Sequence, residues 1–268
     1  MKATGPKKTD DWPSHGQFSA VEYSDGAFSP VTTSLSIEYQ VTLCINGSPY
    51  IVIACSGSDL VQMAVGHLVS EGIVATMSDI TDVTVDRAAA SINVITEMNE
   101  RVLDSLLRLR RMPSGCGQGA GPLDDGVVTR RRTVQLKAPM VLSMMKEFLN
   151  YSKTHKLTRS VHGAALYTTG GEMIVFFDEI GRHNAIDKVL GHALLEGIDL
   201  GDKLLLTTGR IASEIAVKVL HTRIPVLISR ASPTSLSCEL AARHGLGMIG
   251  RVRPAAFCVF NGSEHVVP

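Results

Sequence analysis

The sequence predicts an α/β fold in two parts: a smaller α+β amino-terminal domain over residues 34–111 and a larger α/β domain over 133–268. Two observations carry this. Residues 34–56, SLSIEYQVTLCINGSPYIVIACS, alternate in polarity around Asn46-Gly47, the strongest short-range mark of a hairpin turn. From residue 160 onward, after a second hairpin pattern, strand-like and helix-like runs alternate, which predicts a mixed sheet with helices on both faces. A glycine-rich stretch, 112–132, separates the two parts.

Residues 1–33 are polar, with apolar side chains placed singly, and read as a flexible arm whose one anchor is Trp12. After the first hairpin, SGSDLVQMAVGHLVSEGI reads as an amphipathic helix with Ser58 as N-cap and Gly72 as its stop. Strands near 80–86 and 91–97 and a basic helix near 99–111 complete the first domain. Residues 112–126, MPSGCGQGAGPLDDG, hold five glycines and two prolines and cannot form a regular element. A helix near 137–150 follows. The second hairpin turns at Gly170-Gly171. Next come a helix near 184–197, where Asn184 and Asp187 are spaced like a capping pair, the strand KLLLTT, the helix ASEIAVKVL, the strand PVLIS, the helix TSLSCELAARHG and short strands near 248 and 258.

Bulk properties narrow the function. Lys+Arg and Asp+Glu number 26 each, so net charge gives no support for a general nucleic-acid or membrane-surface binder, and any anion site is local. No apolar run reaches the roughly 18 residues a bilayer span needs. The start of the chain lacks an apolar signal core, so a cytoplasmic location is expected. The five cysteines form no CxxC or zinc-ligand spacing. Cys44, Cys55, Cys238 and Cys258 sit in apolar runs and read as small buried hydrophobes. Cys116 differs. Gly115 and Gly117 flank it, and Arg108, Arg110, Arg111, Arg130, Arg131 and Arg132 stand on either side of its stretch, a field that favours a thiolate. The alternative is an incidental cysteine in a disordered loop.

Three strand-to-helix junctions each place an arginine just past a strand: Gly181-Arg182-His183, Gly209-Arg210 and Ser229-Arg230. Carboxyl ends of parallel strands line one edge, where free helix N–H groups and arginine forks suit phosphates. The alternative is three surface arginines paired with Asp178, Glu214 or Glu239. His162 and His183 are candidate donors to an anion or proton shuttles, while Asp178, Asp187 and Lys188 either orient a ligand or pair along the helix.

The blocks SVHGAALYTT, FFDEIGRHNAIDKVLGHAL, TTGRIASE and ISRASPTSLSCELA resemble the formate dehydrogenase accessory (FdhD) sulfur-carrier family over about 35–262. That resemblance implies a cytidine-deaminase-like core and a homodimer. It implies a sulfurtransferase that takes persulfide sulfur from a cysteine desulfurase on Cys116 and passes it to a molybdenum bis(molybdopterin guanine dinucleotide) client before formate dehydrogenase receives the cofactor. It also implies a contribution to cofactor binding from FCVFNG: Phe257, Cys258, Val259, Phe260, Asn261 and Gly262. That span reads equally as an edge strand and turn. Two departures stand out. Many members carry Cys-Gly-x-Cys-Gly, whereas here only Cys116 is present and Gly119 stands at the second position, so no two-thiol relay exists. The zinc deaminase signature is missing: His162-Gly163-Ala164 lacks its glutamate and no PCxxC follows, so no zinc is expected. Two rivals are a cofactor-binding chaperone that moves no sulfur and a zinc-independent nucleotide enzyme, the latter without a catalytic constellation to support it.

Overall fold

The computed structural model describes residues 12–97 and 131–268. Strands β1 (His15–Ser24) and β2 (Ala27–Ser36) pair along their whole length, turning at Asp25 and Gly26, both at positive φ. Over residues 15–33 this corrects the reading of a flexible arm, since Asp-Gly is a hairpin dipeptide in its own right; residues 1–11 of that arm lie outside the described residues. Most of the ribbon is exposed, which is why its apolar residues stand singly in the sequence. Trp12 is an anchor. It stacks on Tyr39 at 4.3 Å, with Arg87 over its face, and a Cβ on Gly57 would lie 2.9 Å from its ring.

β3 (Tyr39–Ile45) and β4 (Ser48–Cys55) turn at Asn46 (φ 51°) and Gly47 (φ 79°). With β5 (Ile80–Asp86) and β6 (Ser91–Thr96) they form a four-stranded sheet ordered β4-β3-β6-β5, packed under α1 (Leu60–Ser70). Ser58 does not cap α1. The N-cap is Asp59, in the left-handed region and without a side-chain bond, because Ser58 instead accepts from the buried Lys188 at 3.2 Å. The basic helix expected near 99–111 lies outside the described residues.

The second part is a six-stranded mixed sheet, ordered β13-β12-β11-β10-β8-β9. Its strands are β8 (His162–Thr168), β9 (Met173–Glu179), β10 (Lys203–Thr207), β11 (Val226–Ser229), β12 (Gly247–Arg253) and β13 (Ala256–Asn261). On one face α2 (Ala138–Tyr151) buries Val141, Met144, Met145 and Phe148, the i, i+3, i+4, i+7 stripe of an amphipathic helix. Short α3 (Lys153–Thr158) follows it, N-capped by Ser152 Oγ, which accepts from His155 N–H. On the other face lie α4 (Arg182–Leu195), α5 (Ser213–Leu220) and α6 (Ser235–His244). The expected capping pair on α4 is not formed: the helix begins at Arg182, Asn184 donates to Ala54 O (2.8 Å), and Asp187 is a buried ion-pair partner. Short β7 (Leu136–Lys137) pairs with β14 (Val266–Val267).

The two parts are joined by helix crossing. Gly66 of α1 and Gly191 of α4 meet so closely that a Cβ on Gly66 would lie 1.6 Å from Asp187 O. Around that contact, Lys218 bonds Asp187, Glu71 and Ser70, and Asp187 also bonds Ser70 and His67. A second buried pair, Lys188 with Glu179 at 2.6 Å, ties the end of β9 to Ser56, which donates to Glu179 through both its N–H and its hydroxyl.

Candidate functional site

Strand directions decide where the chemistry gathers. β10, β11 and β12 are parallel, β8 is antiparallel to β10, and β9 is antiparallel to β8. The carboxyl ends of β9 to β12 therefore share one edge with the amino end of β8, which carries His162. Arg182, Arg210 and Arg230 all follow strands that end there. Their side chains differ in what they do. Arg230 lines a cleft of about 790 Å³ at this edge. Arg182 lays its stem over Gly209, where a Cβ would sit 2.8 Å away, and its buried Nε has no hydrogen-bond partner. Gly209 thus makes room for a neighbouring side chain. Arg210 is exposed. Gly181 is the N-cap of α4, without a side-chain cap bond.

The cleft runs between this edge and the turn from α2 through α3 into β8. Phe148 and Phe176, in edge contact at 5.7 Å, line its apolar side. Asp178, Thr208, His155, Lys156 and Arg159 also line it. Thr208 Oγ accepts from Gly163 N–H (3.1 Å) and bonds His162 Nδ1 (3.2 Å), fixing the ring at the cleft mouth. Burial, then the charges of Arg182 and His155, hold His162 below its usual pKa. Burial raises Asp178, against the opposing bonds from Ser152 and Thr154. The basic residues of 153–159 carry no role in the sequence reading, which ends a helix near 150 and resumes at 160. The signal was their density, Lys153, His155, Lys156 and Arg159, immediately before a strand.

His183 is not brought into this cleft. It is held mainly by burial, and next by Arg182 and Lys218, at a pKa of about 4, and its Nε2 is buried without a hydrogen-bond partner. FCVFNG is the edge strand β13 and its turn. Because β13 runs antiparallel to β12, it carries Asn261 and Gly262 to the edge opposite the arginines. There Asn261 donates to Leu246 O (2.8 Å) and Ala241 O (3.2 Å), and Gly262 takes φ 76°. Phe257 and Val259 pack into the core beneath α2, while Phe260 and Cys258 are exposed. Within one chain, these residues and the three arginines do not form one site. Cys258 also departs from the buried-cysteine reading, as do the half-buried Cys44 and Cys238; Cys55 is buried, its thiol pushed up to about 11 mainly by burial.

Cys116 lies outside the described residues, as does all of 98–130; the chain is described up to Glu97 and again from Arg131. Glu97 N–H bonds Asp79 O, and Asp79 in turn caps Ala75 and Thr76. On return, Arg131 donates to five carbonyls, those of Val219, Leu220, Thr222, Ile224 and His244. These carbonyls close the carboxyl ends of α5 and α6, at the edge opposite the arginines. The return point of the cysteine stretch is thus across the sheet from Arg230. Arg131 does not supply a free cation to Cys116, since its fork is spent on carbonyls and burial lowers it to about 10. Arg132 faces Asp199 at 3.7 Å. Among the described residues no group of three or more His, Cys, Asp or Glu is placed to hold a metal ion, and no helix is long and apolar enough to cross a membrane.

The model of the FdhD/NarQ family matches residues 36–267, nearly the whole described fold. This chain belongs to the FdhD/NarQ family. Among its FdhD relatives, the sulfur carrier protein FdhD of Bacillus subtilis is 30% identical over 248 residues, 91% of this chain and 94% of that protein. The protein of the same name from Listeria monocytogenes is 31% identical over 254 residues, covering 91% and 95%. The crystal structure of a protein described as a formate dehydrogenase accessory protein, from Desulfotalea psychrophila, superposes with a TM-score of 0.78 at 25% identity over 95% of this chain and all of that one. The mixed α/β architecture is therefore shared with an FdhD-type structure.

Proposed function

We propose that this chain is a sulfur carrier for formate dehydrogenase maturation, acting in the cytoplasm as a homodimer whose α/β part is a deaminase-like core. The observation that carries this reading is the end-to-end similarity to relatives named as sulfur carriers, in a chain whose glycine-rich stretch holds a single cysteine, Cys116. In this reading the Cys116 thiolate attacks the terminal sulfur of a desulfurase persulfide. A new S–S bond forms at Cys116 and the desulfurase cysteine leaves as a thiolate. The terminal sulfur, still at the sulfane level, then passes to the molybdenum bis(guanine dinucleotide) cargo as its S–S bond to Cys116 breaks and the Cys116 thiolate leaves; the two electrons that turn it into a sulfide ligand come from the cargo's molybdenum or from a thiol reductant, and the cargo's phosphates lie at the edge that carries Arg182 and Arg230.

Reach supports the two-edge arrangement. Fourteen residues lie between Cys116 and Arg131, so the fifteen steps from one to the other reach up to about 50 Å extended at roughly 3.4 Å per residue. A five-residue strand such as β10 spans only about 17 Å. A thiol tethered at one edge is therefore long enough in reach to serve the other.

Intact mass after incubation with a cysteine desulfurase and cysteine tests the carrier step. Wild type gains about one sulfur, roughly 32 Da, that a reductant removes, and Cys116→Ser gains none. Equal labelling of the variant would move the role to another cysteine. The second reading, a cofactor-holding chaperone, has one observation in its favour, the glycine at position 119 where many members have a second cysteine. It is chosen if Cys116→Ser restores full formate dehydrogenase activity to a strain lacking the protein.

A further inference from the structure

We propose that the cleft walled by α3 is an oxyanion subsite that takes a phosphate group of the cargo, held by Lys156, Arg159 and Arg230, with His162 taking up a proton as the anion binds. It rests on the reading of this edge as the place of the cargo's phosphates, and adds the residues that bind there and the proton that accompanies binding. Three observations converge on it.

The first is the lining: three permanent cations and two histidines face one cleft, and Asp178 is its one carboxylate among the described lining residues. A lone surface cation is ordinarily solvated, whereas several from separate elements turned onto one concavity concentrate positive potential. The second is Arg159 itself. It closes α3 in the left-handed conformation at φ 57°, where glycine is the low-strain choice. An exposed arginine without an ion pair among the described residues is an uncommon choice at that position, and its side chain lines the cleft. The third is His162, fixed by Thr208 at the cleft mouth and held by burial and Arg182 toward its neutral form. An anion beside it reverses the balance of charge on the ring, so binding draws in a proton.

His155, Lys156, Arg159, Arg230 and Asp178 share the cleft with His162, and the charge of Arg182 acts on the ring from beside it. Inorganic sulfate is the probe, since it stays a dianion from pH 5 to 8 and any pH dependence belongs to the protein. Its affinity, followed by calorimetry, rises as pH falls below about 6.5, toward tenfold per unit if one proton is taken up. His162→Gln flattens the profile, and Asp178→Asn leaves it in place. Lys156→Gln weakens sulfate binding about tenfold. Arg159→Gly is the decisive variant: it relieves the left-handed strain, so the melting temperature holds or rises while sulfate affinity falls about tenfold. Displacement of sulfate by guanosine diphosphate assigns the subsite to a nucleotide phosphate, and failure to displace assigns it to a free oxyanion, overturning the cargo part of the proposal. Unchanged affinity in Lys156→Gln and Arg159→Gly, with loss in Arg182→Gln, would move the anion away from α3 and sink the subsite. A flat wild-type pH profile would sink the proton uptake. None of these results touches sulfur loading on Cys116, which stands or falls by mass alone.

Discussion

Single buried charges carry more of this architecture than their number implies. Lys188 and Glu179 have no solvent-exposed side-chain surface, yet each is satisfied: the ammonium by Glu179, Ser56 and Ser58, the carboxylate by two Ser56 donors, Ile180 N–H and the ammonium. Removing one partner strands the other in a dry interior. Lys188→Met is expected to cost about 3–5 kcal/mol in urea unfolding, whereas the double change Lys188→Met with Glu179→Leu costs far less, because the stranded charge is gone. Equal costs for single and double variants would show that the pair is not coupled. Arg131 makes a different case. Its five carbonyl acceptors lie at the carboxyl ends of two helices and in the turns after them, where intrahelical donors run out; that of Val219 also accepts from the N–H and hydroxyl of Thr222. Arg131→Ala is expected to lower stability by about 3 kcal/mol, and Arg131→Lys to recover only part, since one ammonium lacks the fork that spans separated carbonyls.

At the scale of elements, the α1–α4 crossing is the least forgiving contact. A Cβ on Gly191 would sit 1.9 Å from Gln62 O, and one on Gly66 still closer to Asp187 O, so even alanine forces the helices apart. Gly66→Ala and Gly191→Ala are each expected to destabilise by more than about 3 kcal/mol, although alanine is the better helix former by about 1 kcal/mol. Thermal melts of the two variants check this, and an unchanged melting temperature in either would mean the helices slide apart freely. This contact also shows what could be read beforehand. The hairpin at Asn46-Gly47 was legible because two positive-φ residues in a row permit little else. Helix α2 was legible because its buried stripe repeats at helical spacing. Gly66 and Gly191 lie inside helical patterns with no local signal of their own, since the carbonyls they avoid, Asp187 O and Gln62 O, are 121 and 129 residues away in sequence. The arginine edge was legible from strand-to-helix junctions. The cleft beside it was not, because Lys156 and Arg159 come to share a cleft with His162 and Arg230 only when the turn from α2 through α3 into β8 has folded. The same limit applied to β1–β2: Asp25-Gly26 was a usable signal, but exposed strands lack the alternation that ordinarily confirms one.

For the molecule as a whole, the buried network across α1, α4 and α5 makes the two parts one cooperative body, and it ties stability to pH. Three histidines are held below their ordinary value in the fold: His67, by burial and then by Lys218; His183, at about 4, by burial and then by Arg182; and His162, by burial and Arg182. Asp187, although fully buried, is held below the usual carboxylate range by Lys218 and by hydrogen bonds from His67 and Ser70, so it stays charged across mildly acidic pH and does not offset them. Below about pH 6.5 the unfolded chain takes protons at all three histidines while the folded chain resists them. The unfolded state then binds more protons, so stability rises with pH and falls on acidification. One histidine contributes at most about 1.4 kcal/mol per pH unit, and His162, only partly buried, contributes less than the other two. Urea unfolding from pH 7 down to 5 is therefore expected to lose about 2–3 kcal/mol per unit toward the acid end, in a single transition. His183→Gln should lower that slope by nearly one proton while leaving stability at pH 7.5 within about 1 kcal/mol, because the folded ring is already neutral there. A flat profile would mean that these rings are protonated in place. Two separate transitions would mean that the sheet of residues 39–96 unfolds without the network, and that the α1–α4 crossing does not bind the parts into one.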